Sequence, residues 1–333
     1  MERSPIAIIP TQLLGFILSR LKVHRYSIVS SLREKDLRSV LQRSLESEGV
    51  TITAEIMPPR GADPSNAIAK ARKLANRVHA LNVTDGSRAV MRMSSLALCK
   101  LLVEEGLDPV LQVACRDRNR IALQADLLGA HALGIKNVLC LTGDPVRVGD
   151  QPETRQVSDF ASIQLLRQVT ALNKGKDPVS GLLSDGGTNL FPGAAADPNC
   201  HSFSSLIRRL EQKRDAGARF LQTQMVMEPE VLDRFCNEVA NPLELPVLAG
   251  VFLLKSAKNA IFINRVVPGA CIPDSIITRL ERAKNQEAEG ISIASEQVKR
   301  FLGISKGVHV MAVKAEEKIS QIIEQAGVNL QRQ

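Results

Sequence analysis

The sequence has no tryptophan, and aromatic residues make up only 3% of its 333 positions. Tyr26 is the single tyrosine. Nucleic-acid platforms interleave aromatic side chains with basic ones, and no such cluster occurs. Nucleic acid is therefore not the expected partner, although the formal net charge is +8. A cationic chain of this kind suits small acidic ligands instead, such as phosphates, dinucleotides or polycarboxylates. Cysteine occurs six times, but never as a CxxC pair. Cys115 and Cys140 fall inside apolar runs, where a thiol serves as a small hydrophobe. This usage points to a reducing cytoplasm rather than a disulfide scaffold. The five histidines show neither HxxxH nor HExxH spacing, so no metal is expected. The phosphate-binding signatures GxGxxG and GxxxxGK(S/T) are absent, and so is the hydrolase turn GxSxG. The one long apolar stretch, "SPIAIIPTQLLGFIL" (4–18), is short for a membrane span and has no small-residue cleavage site behind it. An N-terminal extension, an added surface helix or an over-long start is expected there, with no membrane contact.

What is present is a regular alternation. Strand-like runs are predicted at 51–56, 79–85, 109–115, 137–143, 191–197, 220–226, 246–253 and 308–313. Helical patterns follow at 65–76, 94–105, 118–133, 162–173, 202–216, 229–239, 256–266 and 316–326. Several strands are near-continuous apolar runs, the mark of parallel strands covered on both faces. Eight such units in one chain predict an α/β fold, a (β/α)8 TIM barrel. A doubly wound sheet is the alternative, and would usually carry the missing glycine fingerprint. The expected division is 1–50 as extension and lead-in helix, and 51–330 as the barrel. Residues 174–190 read as a long loop, and 267–300 as extra helix before the last strand.

The stretch "NVLCLTGDP" (137–145) sets the functional question. A carboxylate, Asp144, stands between glycine and proline at the tip of an apolar strand. Burying an unpaired anion is costly, so Asp144 is either a turn residue facing water or a charge with a task. In a barrel the chemistry sits at the C-terminal strand ends. Glu55, Asp85, Asp144 and Gln224 all fall there, which favours the second reading.

The motifs "TAEIMPPRGADP", "LNVTDGSRAVMRMSSLAL", "QVACRDRNRIALQADLLGAHALGIKNVLCLTGDP", "GAAADPN", "RLEQKRDAGARFLQTQ" and "LLKSAKNAIFIN" follow one another in that order. Together they resemble the methylenetetrahydrofolate reductase family, closest to its short prokaryotic branch, over roughly residues 50–328. The resemblance implies a flavin-carrying barrel that reduces 5,10-methylenetetrahydrofolate to 5-methyltetrahydrofolate. It implies FAD, with FMN as the alternative, and NADH, NADPH or a partner protein as electron source. Folate is the implied substrate, and a homo-oligomer is expected.

Residue by residue, Glu55 resembles the family's proton donor, and burial can raise such a carboxyl toward neutrality. The alternative for Glu55 is a rim ion pair with Arg60. Asp144 matches the strand-four carboxylate, expected to act on both flavin and folate. Gln224 resembles the folate-orienting amide, since an amide both donates and accepts. Thr84, Gln112, Thr142, Gly143, Ala195 and Asp197 are expected around the flavin. Gln112 stands where relatives often have histidine. Arg116, with Arg118 and Arg120 on the same loop, and Lys213 are the candidates for flavin phosphates. The chain departs from the family where Met57, Ser158, Ala161, Met225 and Met227 replace expected residues, several of them aromatic. Less stacking surface leaves room for a different reading, a partner-dependent or non-catalytic flavin- or folate-binding subunit. A flavin-free barrel that transfers methyl groups is a third.

Overall fold

The computed structural model describes residues 37–328 and residue 330. The expected extension over residues 1–28 lies outside the described residues. Eight parallel strands close into a barrel, each paired with its neighbours in sequence and the last with the first. They are β1 (Thr51–Ile56), β2 (Ala80–Val83), β3 (Pro109–Ala114), β4 (Asn137–Leu141), β5 (Phe191–Ala196), β6 (Phe220–Met225), β7 (Val247–Phe252) and β8 (Gly307–Met311). The helices are α1 (Val40–Glu46), α2 (Ser65–Leu74), α3 (Ser95–Glu104), α4 (Arg120–Ala132), α5 (Ser162–Asn173), α6 (Phe203–Asp215), α7 (Pro229–Phe235), α8 (Ala257–Val266), α9 (Asp274–Arg282), α10 (Gln286–Phe301) and α11 (Ile319–Gln325). The (β/α)8 barrel expected from the alternation is therefore the fold.

The local code is visible in α4. Asn119 accepts the Ala122 N–H and starts the helix. Leu123, Leu127 and Ala130 recur at helical spacing and are fully buried. Gly134, at φ +84, ends it. Burying each such leucine is worth about 1.5–3 kcal/mol.

Along each strand, alternate residues face the helices or the lumen. On the helix side lie Ile52, Ala54, Val83, Val113, Val138 and Leu221, all within one continuous core. The lumen begins with an apolar layer that includes Ala80, Val110, Leu139, Phe191, Phe220 and Leu248. Leu41 and Leu45 of α1 join this layer and plug the barrel's N-terminal end. The Phe191 and Phe220 rings stack at 5.5 Å. Above this plug the lumen turns polar. Asn82 donates to Gln222 Oε1 across it at 2.6 Å, and Thr53 meets His309 Nδ1 at 2.9 Å.

Three boundaries differ from the sequence expectation. The loop 174–190 contains a short antiparallel pairing, Lys176–Asp177 with Gly181–Leu182. Asp177 makes that turn by accepting from the backbone and hydroxyl of Ser180. The helix expected to 239 becomes a π-turn at Cys236–Ala240. The last helix is preceded by a 3-10 turn at Glu316–Lys318.

Candidate functional site

The polar layer opens into a cavity of about 540 Å³ at the C-terminal mouth. Six of the residues expected at the site line it: Glu55, Gln112, Ala195, Asp197, Lys213 and Gln224.

Glu55 is the penultimate residue of β1, its backbone in register with Asn82 of β2. Burial, helped by the nearby Glu316 charge and opposed by Arg92, pushes its carboxyl up to about 7. The rim alternative is not taken, because Arg60 pairs with Asp150 at 2.5 Å. Glu55 is thus a carboxyl raised toward neutrality on a cavity wall.

Lys213 projects from α6. It is buried, and its Nζ donates to the Ala195 carbonyl at 2.6 Å. Burial, with the Arg209 charge one turn earlier adding to it and Cys140 partly offsetting both, lowers this amine to about 8. No carboxylate pairs with Lys213 or Arg209 among the described residues, so this wall suits an anion. Burial also raises Asp197, and the Asn199 N–H on its carboxylate partly offsets the rise.

Gln224 is aimed by a bulge. Gln222 pairs with Leu248, but Met225 pairs with Gly250, so β6 carries one extra residue. Gly250 makes the bulge possible, since a Cβ there would come within 2.7 Å of the Gln224 carbonyl oxygen. The Gln224 amide accepts the Met225 N–H at 2.8 Å and donates to the Pro268 carbonyl at 3.3 Å.

The other expected residues form a neighbouring group in the loops after β2, β3 and β4, and they do not line this cavity. Asp144 accepts the Arg88 N–H at 2.7 Å, fixing a loop in which Arg88 and Ala89 both have positive φ. Gly143 has φ +91, and a Cβ on it would meet Ala114 and Arg116 at 3.2 and 3.0 Å. Its glycine character thus already has a reason inside the protein. The Arg116 guanidinium is buried against Asp117 and the carbonyls of Gly86 and Asp144. Arg118 pairs with Asp85 and Asp126, and Arg120 with Asp159. All three loop arginines are therefore engaged by the protein itself. Thr142 bonds Ser162 at the start of α5. Thr84 is buried, and its hydroxyl has no protein partner.

Sequence reading missed Arg209, Gln222, Asn82 and His309. Two signals mark them. Asn82, Gln222 and His309 are polar residues at lumen-facing positions of otherwise apolar strands, and Ser202, Ser205, Arg209 and Lys213 repeat at helical spacing toward the cavity. Met225 and Met227 pack into a satellite core with Ile263 and Leu280 and do not line the cavity. Among the described residues no cluster of His, Cys, Asp and Glu could hold a metal, and no helix is long and apolar enough to cross a membrane.

A profile described as methylenetetrahydrofolate reductase matches residues 40–327. Methylenetetrahydrofolate reductase 2 of Schizosaccharomyces pombe is 25% identical over 270 residues, which are 75% of this chain and 41% of that protein. A probable NADPH-named enzyme of Caenorhabditis elegans is 24% identical over 85% of this chain and 38% of its own length. A probable NADH-named enzyme of Oryza sativa is 27% identical over 67% and 38%. The chain thus spans about two fifths of the length of these curated relatives. Among solved structures, a Clostridium thermocellum protein that binds two copies of 5-methyltetrahydrofolate superposes with a TM-score of 0.59. It shares 14% identity over 86% of this chain and 96% of its own, a likeness of fold.

Proposed function

The chain belongs to the methylenetetrahydrofolate reductase family over residues 40–327, and on that premise we propose that it reduces 5,10-methylenetetrahydrofolate to 5-methyltetrahydrofolate at the barrel mouth. The observation that carries this reading is Glu55, an acid raised to about 7 on the wall of a cavity that also presents Gln224 and Lys213.

The residues present fit a flavin. Lys213 is a buried amine without a carboxylate, and Arg209 stands beside it, so the α6 wall has the charge a phosphate needs. Ala195, Asp197 and Gln112 complete the cavity on that side. FAD is the proposed form and FMN the alternative. When bound, the flavin supplies a hydride to the folate after accepting one from NADH or NADPH.

The chain's own residues do the rest. Glu55 gives its proton to N10 of the folate, which opens the five-membered ring and leaves a cationic iminium at N5. A carboxyl that titrates near the working pH suits this transfer. Gln224 holds the pterin edge through its amide. Asp144, one oxygen held by Arg88 and the other unbonded among the described residues, contributes negative charge at the adjoining rim and favours the iminium. The six cysteines, all free, suit a reducing compartment such as the cytoplasm.

The test is an anaerobic absorption spectrum of the purified protein, followed by NADH and then methylenetetrahydrofolate. Bound flavin that bleaches with NADH and recovers with folate supports the reading. Bleaching by dithionite alone, with recovery on folate, would make a partner protein the donor. A protein that takes up no flavin on reconstitution would refute the proposal.

A further inference from the structure

We infer that Asn199 is a positioning residue for folate, acting through Gln224: its clamp holds the loop that anchors the Gln224 amide for one ligand edge. The inference rests on the folate reading above.

Asn199 lies just beyond β5, outside the set of site residues read from sequence. Its Nδ2 donates to the Met225 carbonyl at 3.1 Å and to the Gly269 carbonyl at 3.0 Å. One side chain thus ties the end of β6 to the 267–270 loop. Its own N–H is anchored on Asp197 Oδ1 at 3.0 Å. The loop can sit this close only through glycine. Gly269 has φ +78, and a Cβ there would come within 2.5 Å of Asp197 Oδ2.

The consequence falls on Gln224, which stands between the two tied segments. Its Oε1 accepts from Met225, and its Nε2 donates to Pro268 in the tied loop. An amide has two N–H groups and two carbonyl lone pairs. Each end has used one. One N–H and one lone pair remain, and the two anchors forbid an amide flip that would exchange them. The ligand edge that fits must place an acceptor beside a donor. A pterin lactam, C4=O next to N3–H, is such an edge. Without the clamp the loop no longer presents the Pro268 carbonyl to Nε2, Gln224 keeps only its Met225 anchor, and part of the binding energy is lost to ordering.

The test measures binding of 5-methyltetrahydrofolate to the flavin-loaded protein by calorimetry, with no turnover involved. Asn199→Ala is expected to raise Kd about tenfold, the effect of losing one or two neutral hydrogen bonds. Flavin content and the rate of flavin reduction by NADH stay as in the unaltered protein, which a general loss of structure would not permit. Gly269→Ala, disturbing the same loop from its other side, gives a similar loss. In a Gln224→Ala background, Asn199→Ala adds less than a twofold change. An unchanged Kd for Asn199→Ala, or effects of Asn199 and Gln224 that simply multiply, overturns the inference while the function stands. No folate binding by the unaltered protein overturns both.

Discussion

The protonation of Glu55 can be tested by titrating the folate half-reaction. An ordinary glutamate, near 4.5, would be protonated in only about 0.3% of molecules at pH 7. Burial and the Glu316 charge bring Glu55 to about 7, so about half the molecules hold the acid at that pH. The environment thereby enlarges the competent population about 150-fold. The sign is fixed by the cause: the proton must be present, so the rate falls as pH rises. Between pH 7 and pH 9 the protonated fraction drops about 50-fold, and the reoxidation rate should follow it. The assay is anaerobic stopped-flow, mixing photoreduced protein with methylenetetrahydrofolate and following flavin absorbance. Glu55→Gln should slow this step by about 10²–10⁴-fold and flatten the profile. Glu316→Gln removes the like charge and frees the Lys70 cation it holds at 2.7 Å, so the falling limb should move to lower pH. A rate independent of pH from 6.5 to 9, or a Glu55→Gln protein that keeps its rate, refutes the assignment.

Three further outcomes are expected. Lys213→Met should lower flavin affinity at least tenfold, read by equilibrium dialysis. Because burial brings Lys213 to about 8, affinity in the unaltered protein should fall as pH rises past that value, and this dependence should vanish in the variant. Asp108 is raised by burial to about 6, although Leu41 and Asn137 donate to it. A raised carboxyl contributes stability below its unfolded value of 3.8 that is lost as pH rises through 6. Asp108→Asn should therefore raise urea stability at pH 7.5 relative to pH 4 by about 1–3 kcal/mol compared with the unaltered protein. Phe220→Ala removes the ring that stacks on Phe191 and fills the space above Gly193, so it should cost about 3–5 kcal/mol in urea unfolding at constant pH. A loss under 1 kcal/mol would mean that the apolar plug does not hold the barrel.

Much of the architecture was legible without coordinates, because it depends on local regularities. Eight apolar runs alternating with helical patterns allow few folds, and a parallel barrel covered by helices is the one that buries them all. Glu55 and Gln224 were legible for the same reason, since the end of a barrel strand opens on the mouth. The sequence also supplied the resemblance that named the chemistry. What it did not reveal depends on contacts between residues far apart in the chain. Arg116, Arg118 and Arg120 read as free cations, but the fold brings Asp117, Asp85, Asp126 and Asp159 against them. Lys213 was singled out only by the resemblance and Arg209 not at all; the turn of α6 brings both to one cavity wall, with neither paired to a carboxylate among the described residues. The raised pKa of Glu55 is likewise a tertiary property. A carboxyl's pKa depends on the solvent it loses and the charges it meets, and Glu316 reaches Glu55 from 261 positions along the chain. Sequence periodicity determines which residues face inward; only the closed barrel decides which of them meet.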